Sequence, residues 1–152
     1  MSNAPKIEPA DDLYGRDGHA WAEREAALLR ERRFNDIDLE NIIEEIETVG
    51  RSEWRSIVSN YRLIAMHLLK WQFQPERRTR SWSNTIQRER RSLKLNESKN
   101  PSLAAHPQEQ IQPAYEAARG DAADETGLPP SIFPEACPYT VEQLRDPDFL
   151  PE

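Results

Sequence analysis

At 152 residues, with a formal net charge of −7, 37% hydrophobic and 31% charged residues, the chain has the length and composition of one water-exposed globular domain rather than a disordered or membrane-embedded protein. No apolar run approaches the roughly 20 residues that span a bilayer, and the N-terminus carries no apolar secretory core. A lone cysteine, Cys137, excludes an internal disulfide and fits a reducing compartment, so the expected location is cytoplasmic.

Residues 1–11 read as a disordered segment and residues 12–151 as a single helical domain. Asp17 is a good N-cap for a first helix that would turn Trp21, Ala22, Leu28 and Leu29 to the core. Its last turn holds Arg30, Arg32 and Arg33, the sign the helix dipole favours. Asp38 then caps a second helix with Leu39, Ile42, Ile43, Ile46 and Val49 on one buried stripe, and Gly50 is the expected terminator. A third helix runs from about Glu53 to Gln74, roughly 33 Å at 1.5 Å per residue. Trp54, Ile57, Val58, Tyr61, Ile64, Ala65 and Leu68 make one face, while Leu63, Met66 and Phe73 cover the back. A helix apolar nearly all round must be surrounded, so this is the expected centre of a helical bundle.

Ser81 is a plausible cap for a fourth helix carrying Trp82, Ile86 and Leu93 inward and Arg88, Arg90 and Arg91 outward. Asn100-Pro101-Ser102 marks a break and a new start. The next segment (Leu103, Ile111, Tyr115, Ala118, Ala122) is helical in character, with Pro107 and Pro113 predicting a kink or two short helices. Leu128-Pro129-Pro130 and Phe133-Pro134 predict an irregular, Pro-rich C-terminal segment. Thr140 and Gln143 form a capping box for one last turn. No strand alternation and no internal repeat occur. The fold class is all-α.

These residues, taken in order, resemble a family known as domain of unknown function 29, a bacterial group with no assigned activity. The resemblance rests on Tyr14 to Trp21, the run Asp38 to Ile46, Gly50-Arg51-Ser52, His67-Leu68-Leu69-Lys70-Trp71-Gln72, Gln74-Pro75, Ser81-Trp82 and Pro101-Ser102-Leu103. It closes with Glu125-Thr126-Gly127-Leu128, Phe133-Pro134-Glu135 and Cys137-Pro138-Tyr139. It spans about residues 12 to 151 and implies an all-helical fold with an open function.

Charge is distributed unevenly. Residues 1–50 carry 6 basic and 13 acidic side chains, residues 51–94 carry 11 and 3, and residues 95–152 carry 3 and 11. The basic middle either neutralises its acidic flanks or presents a face for phosphate. On a helical wheel His67, Lys70 and Gln74 fall within about 60° of one another, with Trp71 at their edge. A polar stripe on so apolar a helix is either a buried network that fixes helix register or a ligand pocket. In the first case Lys70 requires a carboxylate, for which Glu44 or Glu45 is favoured, with Glu47 also in reach. In the second, His67 is the candidate general base, and Lys70 or Arg78 the anion holder.

Arg62 and His67 have the spacing of the catalytic helix in the HEPN class of helical ribonucleases, but on the wheel the two side chains diverge. His19, His67 and His106 are far apart, and none follows a glutamate by three residues, so no metal and no cofactor are expected. Cys137 reads as a packed small hydrophobe.

The expected function is non-enzymatic: an interaction or adaptor protein that engages nucleic acid or a protein partner through residues 67–94. The candidate binding residues are Trp71, Gln74, Arg77, Arg78, Arg80, Trp82, Arg88 and Arg91. A second copy of the chain is a further candidate partner, and no membrane is expected. The alternative is a helical hydrolase, most plausibly a ribonuclease, using His67 with Lys70 or Arg78.

Overall fold

The computed structural model describes residues 11–152. The expected disordered segment 1–11 therefore lies outside the described residues, except for Asp11. Seven α-helices occur among the described residues: α1 (Asp11–Arg16), α2 (Gly18–Arg30), α3 (Leu39–Phe73), α4 (Arg80–Lys99), α5 (Pro101–Ala104), α6 (Pro107–Thr126) and α7 (Val141–Arg145). Two short 3₁₀ turns, Pro75–Arg77 and Pro130–Ile132, complete the regular structure. No strand occurs among the described residues, and the fold is all-α. The chain divides after Gly50 into two compact units.

In the first unit, Asp17 caps α2 as expected, its carboxylate accepting the Ala20 N–H at 3.0 Å. Trp21 and Leu28 are buried. The Trp21 indole donates to Asp38 at 2.9 Å, and Tyr14 meets its ring edge-on. Burial pushes the Asp38 carboxyl up, but hydrogen bonds from Asn41 and Trp21 outweigh it and hold the group below its ordinary value. Ala22 and Leu29 are exposed rather than inward. The residue that completes the buried line from Trp21 to Leu28 is Glu25, whose carboxylate accepts the Asp38 N–H at 2.9 Å. The apolar stripe expected to be buried is also largely in water: Leu39, Ile43, Ile46 and Val49 are between 42% and 66% exposed, and only Ile42 is half-buried.

Gly50 does not end a helix. The expected second and third helices are one, α3, of 35 residues. A C-terminal glycine stops a helix by turning left-handed, and the glycine that does so is Gly127 at φ 71°, not Gly50. Without that turn the glycine costs only about 1 kcal/mol relative to alanine, and the hydrogen-bond ladder continues through Arg51 to Trp54.

In the second unit α3 is the expected centre: all seven residues from Ile64 to Lys70 are buried. Ile57, Tyr61, Ile64, Ala65, Leu68 and Leu69 pack with Ile86 and Leu93 of α4, with Ala114, Tyr115 and Ala118 of α6, and with Phe133 and Leu144. Helix α4 begins two residues earlier than Ser81 implied, because Thr79 is the cap and accepts the Trp82 N–H at 3.3 Å.

Pro107 opens α6 instead of kinking it. Proline is tolerated at the first helical position, where its missing N–H is not needed. Pro113 lies inside the same helix with its ring exposed, while Ala114, Tyr115 and Ala118 are held in the core. The break in this stretch is instead between α5 and α6. The Thr140–Gln143 capping box is present, with both reciprocal bonds formed.

Candidate functional site

The polar stripe of α3 is closed. His67, Lys70 and Gln74 are 9%, 8% and 8% exposed, and the best-formed cavities are lined by other residues. Lys70 Nζ lies 2.5 Å from Glu125 Oε2 on α6, and 4.6 Å from the centre of the Trp82 ring on α4. The expected partners Glu44 and Glu45 are wrong for a simple reason. With α3 unbroken they precede Lys70 by 26 and 25 residues on one helix, with no turn between to bring them back to it. Glu45 instead accepts from the Tyr14 hydroxyl at 2.5 Å.

His67 Nδ1 is 2.8 Å from the Leu63 carbonyl oxygen. A carbonyl only accepts, so Nδ1 carries the proton and Nε2 is the basic nitrogen. Burial lowers the pKa of His67, Lys70 and Arg88 adding to it against the Leu63 bond and Glu125. Protonation of this ring is therefore easier in the unfolded chain than in the folded one. Its contribution to stability is complete above the unfolded value near 6.5 and is lost as pH falls through the lower folded value. The urea midpoint is expected to drop between about pH 7.5 and pH 5.5, and His67→Gln is expected to shrink that drop. An unchanged pH dependence in His67→Gln would overturn the assignment.

Arg78 closes the C-terminal end of α3, donating from Nε to the Trp71 carbonyl at 2.8 Å, with its guanidinium carbon 5.0 Å from the Trp71 ring centre. Lys70 covers Trp82 in the same manner. One face of each indole is thus already taken by a cation of the chain. Arg62 is bound by Asp121 through two bonds of 2.6 and 2.9 Å, so the ribonuclease-like Arg62–His67 pair does not converge. Cys137 is half-buried, its thiol facing the Tyr139 carbonyl at 3.5 Å, and burial pushes its pKa up, which suits a packed thiol better than a nucleophile.

The remaining predicted residues lie in water. Arg77, Arg80, Arg88 and Arg91 are all exposed. At 100° per residue, Arg80, Arg88, Arg91 and Lys94 fall within an arc of about 120° on α4, interspersed with Asn84, Leu95 and Ser98. The two acids of the helix point elsewhere. Glu89 is buried and accepts from Asn60 at 2.9 Å, while also facing Arg88 Nε at 3.3 Å. Both oxygens of Glu97 are held by Arg145, at 3.1 and 2.5 Å.

Arg90 is a correction. Expected to point outward, it is 4% exposed. Its Nε, Nη1 and Nη2 donate to the carbonyls of Leu144, Phe149 and Gln143 at 3.0, 2.9 and 2.9 Å. The signal was present in the spacing, since Arg90 lies four residues after Ile86 and three before Leu93, on the buried side of the helix. Asn60, joined to Glu89 and to Asn96 at 2.8 Å, had the same signal, three residues after Ile57 and four before Ile64.

Among the described residues no helix is long and apolar enough to cross a membrane, and no group of three or more His, Cys, Asp or Glu could hold a metal ion. No functionally curated protein and no solved structure matches the chain. A family model described as Domain of unknown function DUF29 does match, over residues 13–150, and the protein belongs to that family.

Proposed function

We propose that the chain is a non-enzymatic interaction domain that engages a nucleic-acid backbone through the outward cations of α4. The observation that carries this reading is the arc of Arg80, Arg88, Arg91 and Lys94 along a 20-residue helix, whose two acids are both engaged, Glu89 by Asn60 and Arg88 and Glu97 by Arg145. Arg77, in the turn before it, extends the row. Recognition through phosphates rather than base stacking follows from Trp71 and Trp82 each having a face already covered. The surrounding acidic chain opposes the encounter, so affinity is modest and highly salt-dependent. The lone, half-buried Cys137 fits a reducing, cytoplasmic setting.

A domain contacting about four phosphates should show log K falling with log salt at a slope of about −3 to −4. Fluorescence anisotropy with a labelled single-stranded RNA and a duplex DNA measures it. Arg88→Ala with Arg91→Ala is expected to flatten the slope by about 2; Arg90 is left intact because it is buried. Absence of binding to either nucleic acid at low salt would remove the proposal. The hydrolase alternative has less behind it, because His67 is buried and its Nδ1 is committed to a backbone carbonyl.

A further inference from the structure

Between α4, α5 and the C-terminal segment lies a cavity of about 630 Å³, within the range of small-molecule sites. Its walls include Leu93, Ala104 and Pro147, an apolar surface. The charged groups around that surface are unbalanced. Four cations, Arg90, Arg91, Lys94 and Arg145, face one carboxylate, Glu97. Glu97 is spent on Arg145, which also reaches the Ala104 carbonyl at 3.1 Å. Arg91 and Lys94, both exposed, line the cavity as well.

Arg90 is the unusual member. A guanidinium has five N–H donors, and the three bonds that Arg90 makes all go to neutral carbonyls. No carboxylate of the described residues pairs with it, although it is almost wholly out of water. A buried charge without a counter-charge carries a desolvation cost that an anion nearby offsets. Burial lowers its pKa accordingly, Asp146 and Asp148 only partly opposing from a distance.

We propose that this cavity binds a small organic anion: a monocarboxylate whose alkyl or aryl body lies on Leu93, Ala104 and Pro147. Its carboxylate meets Arg91 and Lys94 at the mouth and balances the charge of Arg90 in the wall. This is a site for a free small molecule, and it shares Arg91 and Lys94 with the outer face of α4.

Decanoate and the uncharged decanol are the probes, titrated to about 1 mM into the full chain and followed by calorimetry and by amide shifts in the NMR spectrum. Decanoate is expected to bind, moving the amides of Leu93, Ser98 and Ala104, and decanol to bind about tenfold more weakly or worse. Ser98→Trp, at an exposed helical position lining the cavity, is expected to fill it and abolish binding. Arg91→Gln with Lys94→Gln is expected to weaken decanoate about tenfold while leaving decanol unchanged. The proposal is overturned by no decanoate binding, by equal binding of acid and alcohol, or by decanoate binding that persists in a folded Ser98→Trp protein. Arg91 and Lys94 serve both sites, so the variant that separates them is Arg88→Ala, outside the cavity lining, which weakens nucleic acid without touching decanoate.

Discussion

Leu68→Ala is expected to lower the unfolding free energy by about 2–5 kcal/mol. The side chain is fully buried in the middle of the Ile64–Lys70 run, so truncation removes its transfer energy and leaves a cavity that neighbours on α4 and α6 fill only in part. In a chain of this size each kcal/mol corresponds to about 2–4 °C in Tm. A urea titration followed by tryptophan fluorescence and far-ultraviolet circular dichroism measures the loss. A midpoint unchanged from the parent protein would contradict the central role of α3. The same truncation at Ile46, which is 66% exposed, serves as the control and should cost little.

Arg90→Ala is expected to cost a comparable amount through a different route. Deleting the guanidinium strips the donor from three backbone carbonyls at once, and each acceptor that stays buried carries about 1–3 kcal/mol. Some of that loss is recovered where water reaches the carbonyls of Gln143 and Phe149, so the expected total is roughly 3 kcal/mol. Arg90→Lys should fail to restore it, because one ammonium cannot reproduce a planar fork that reaches three carbonyls. Limited proteolysis gives a second readout: cleavage within residues 143–149 should accelerate in both variants. Equal stability and equal protease resistance would show that the clasp contributes nothing.

What the sequence made legible was governed by local rules. Asp17 and Thr140 were readable as caps because a side-chain oxygen three residues ahead of an N–H is a short-range geometry. The core positions of α3 followed from the 3.6-residue period. Gly50 misled because a glycine's role depends on the dihedral angle it adopts, which its identity permits but does not impose. That one error also produced the wrong partner for Lys70, since Glu44 and Glu45 could face it only across a hairpin. Glu125 lies 55 residues further on, and no local pattern points to a contact that tertiary packing creates. The site residues divide in the same way. The exposed Arg77, Arg80, Arg88 and Arg91 were readable from charge, whereas the burial of Arg90 required weighing its position on the apolar side above its charge. The cavity beside it is built from separate elements and had no linear signature.

The two ends of α3 differ in a way that bears on motion. Every residue from Ile43 to Gly50 is exposed, while every residue from Ile64 to Lys70 is buried. Local opening of backbone hydrogen bonds costs least where little apolar surface is released and most where the core must part with it. The 35 residues of α3 therefore do not melt as one piece. Its leading turns can fray toward Gly50, where the absence of a side chain already favours the coil, while the trailing turns open only when the second unit unfolds as a whole.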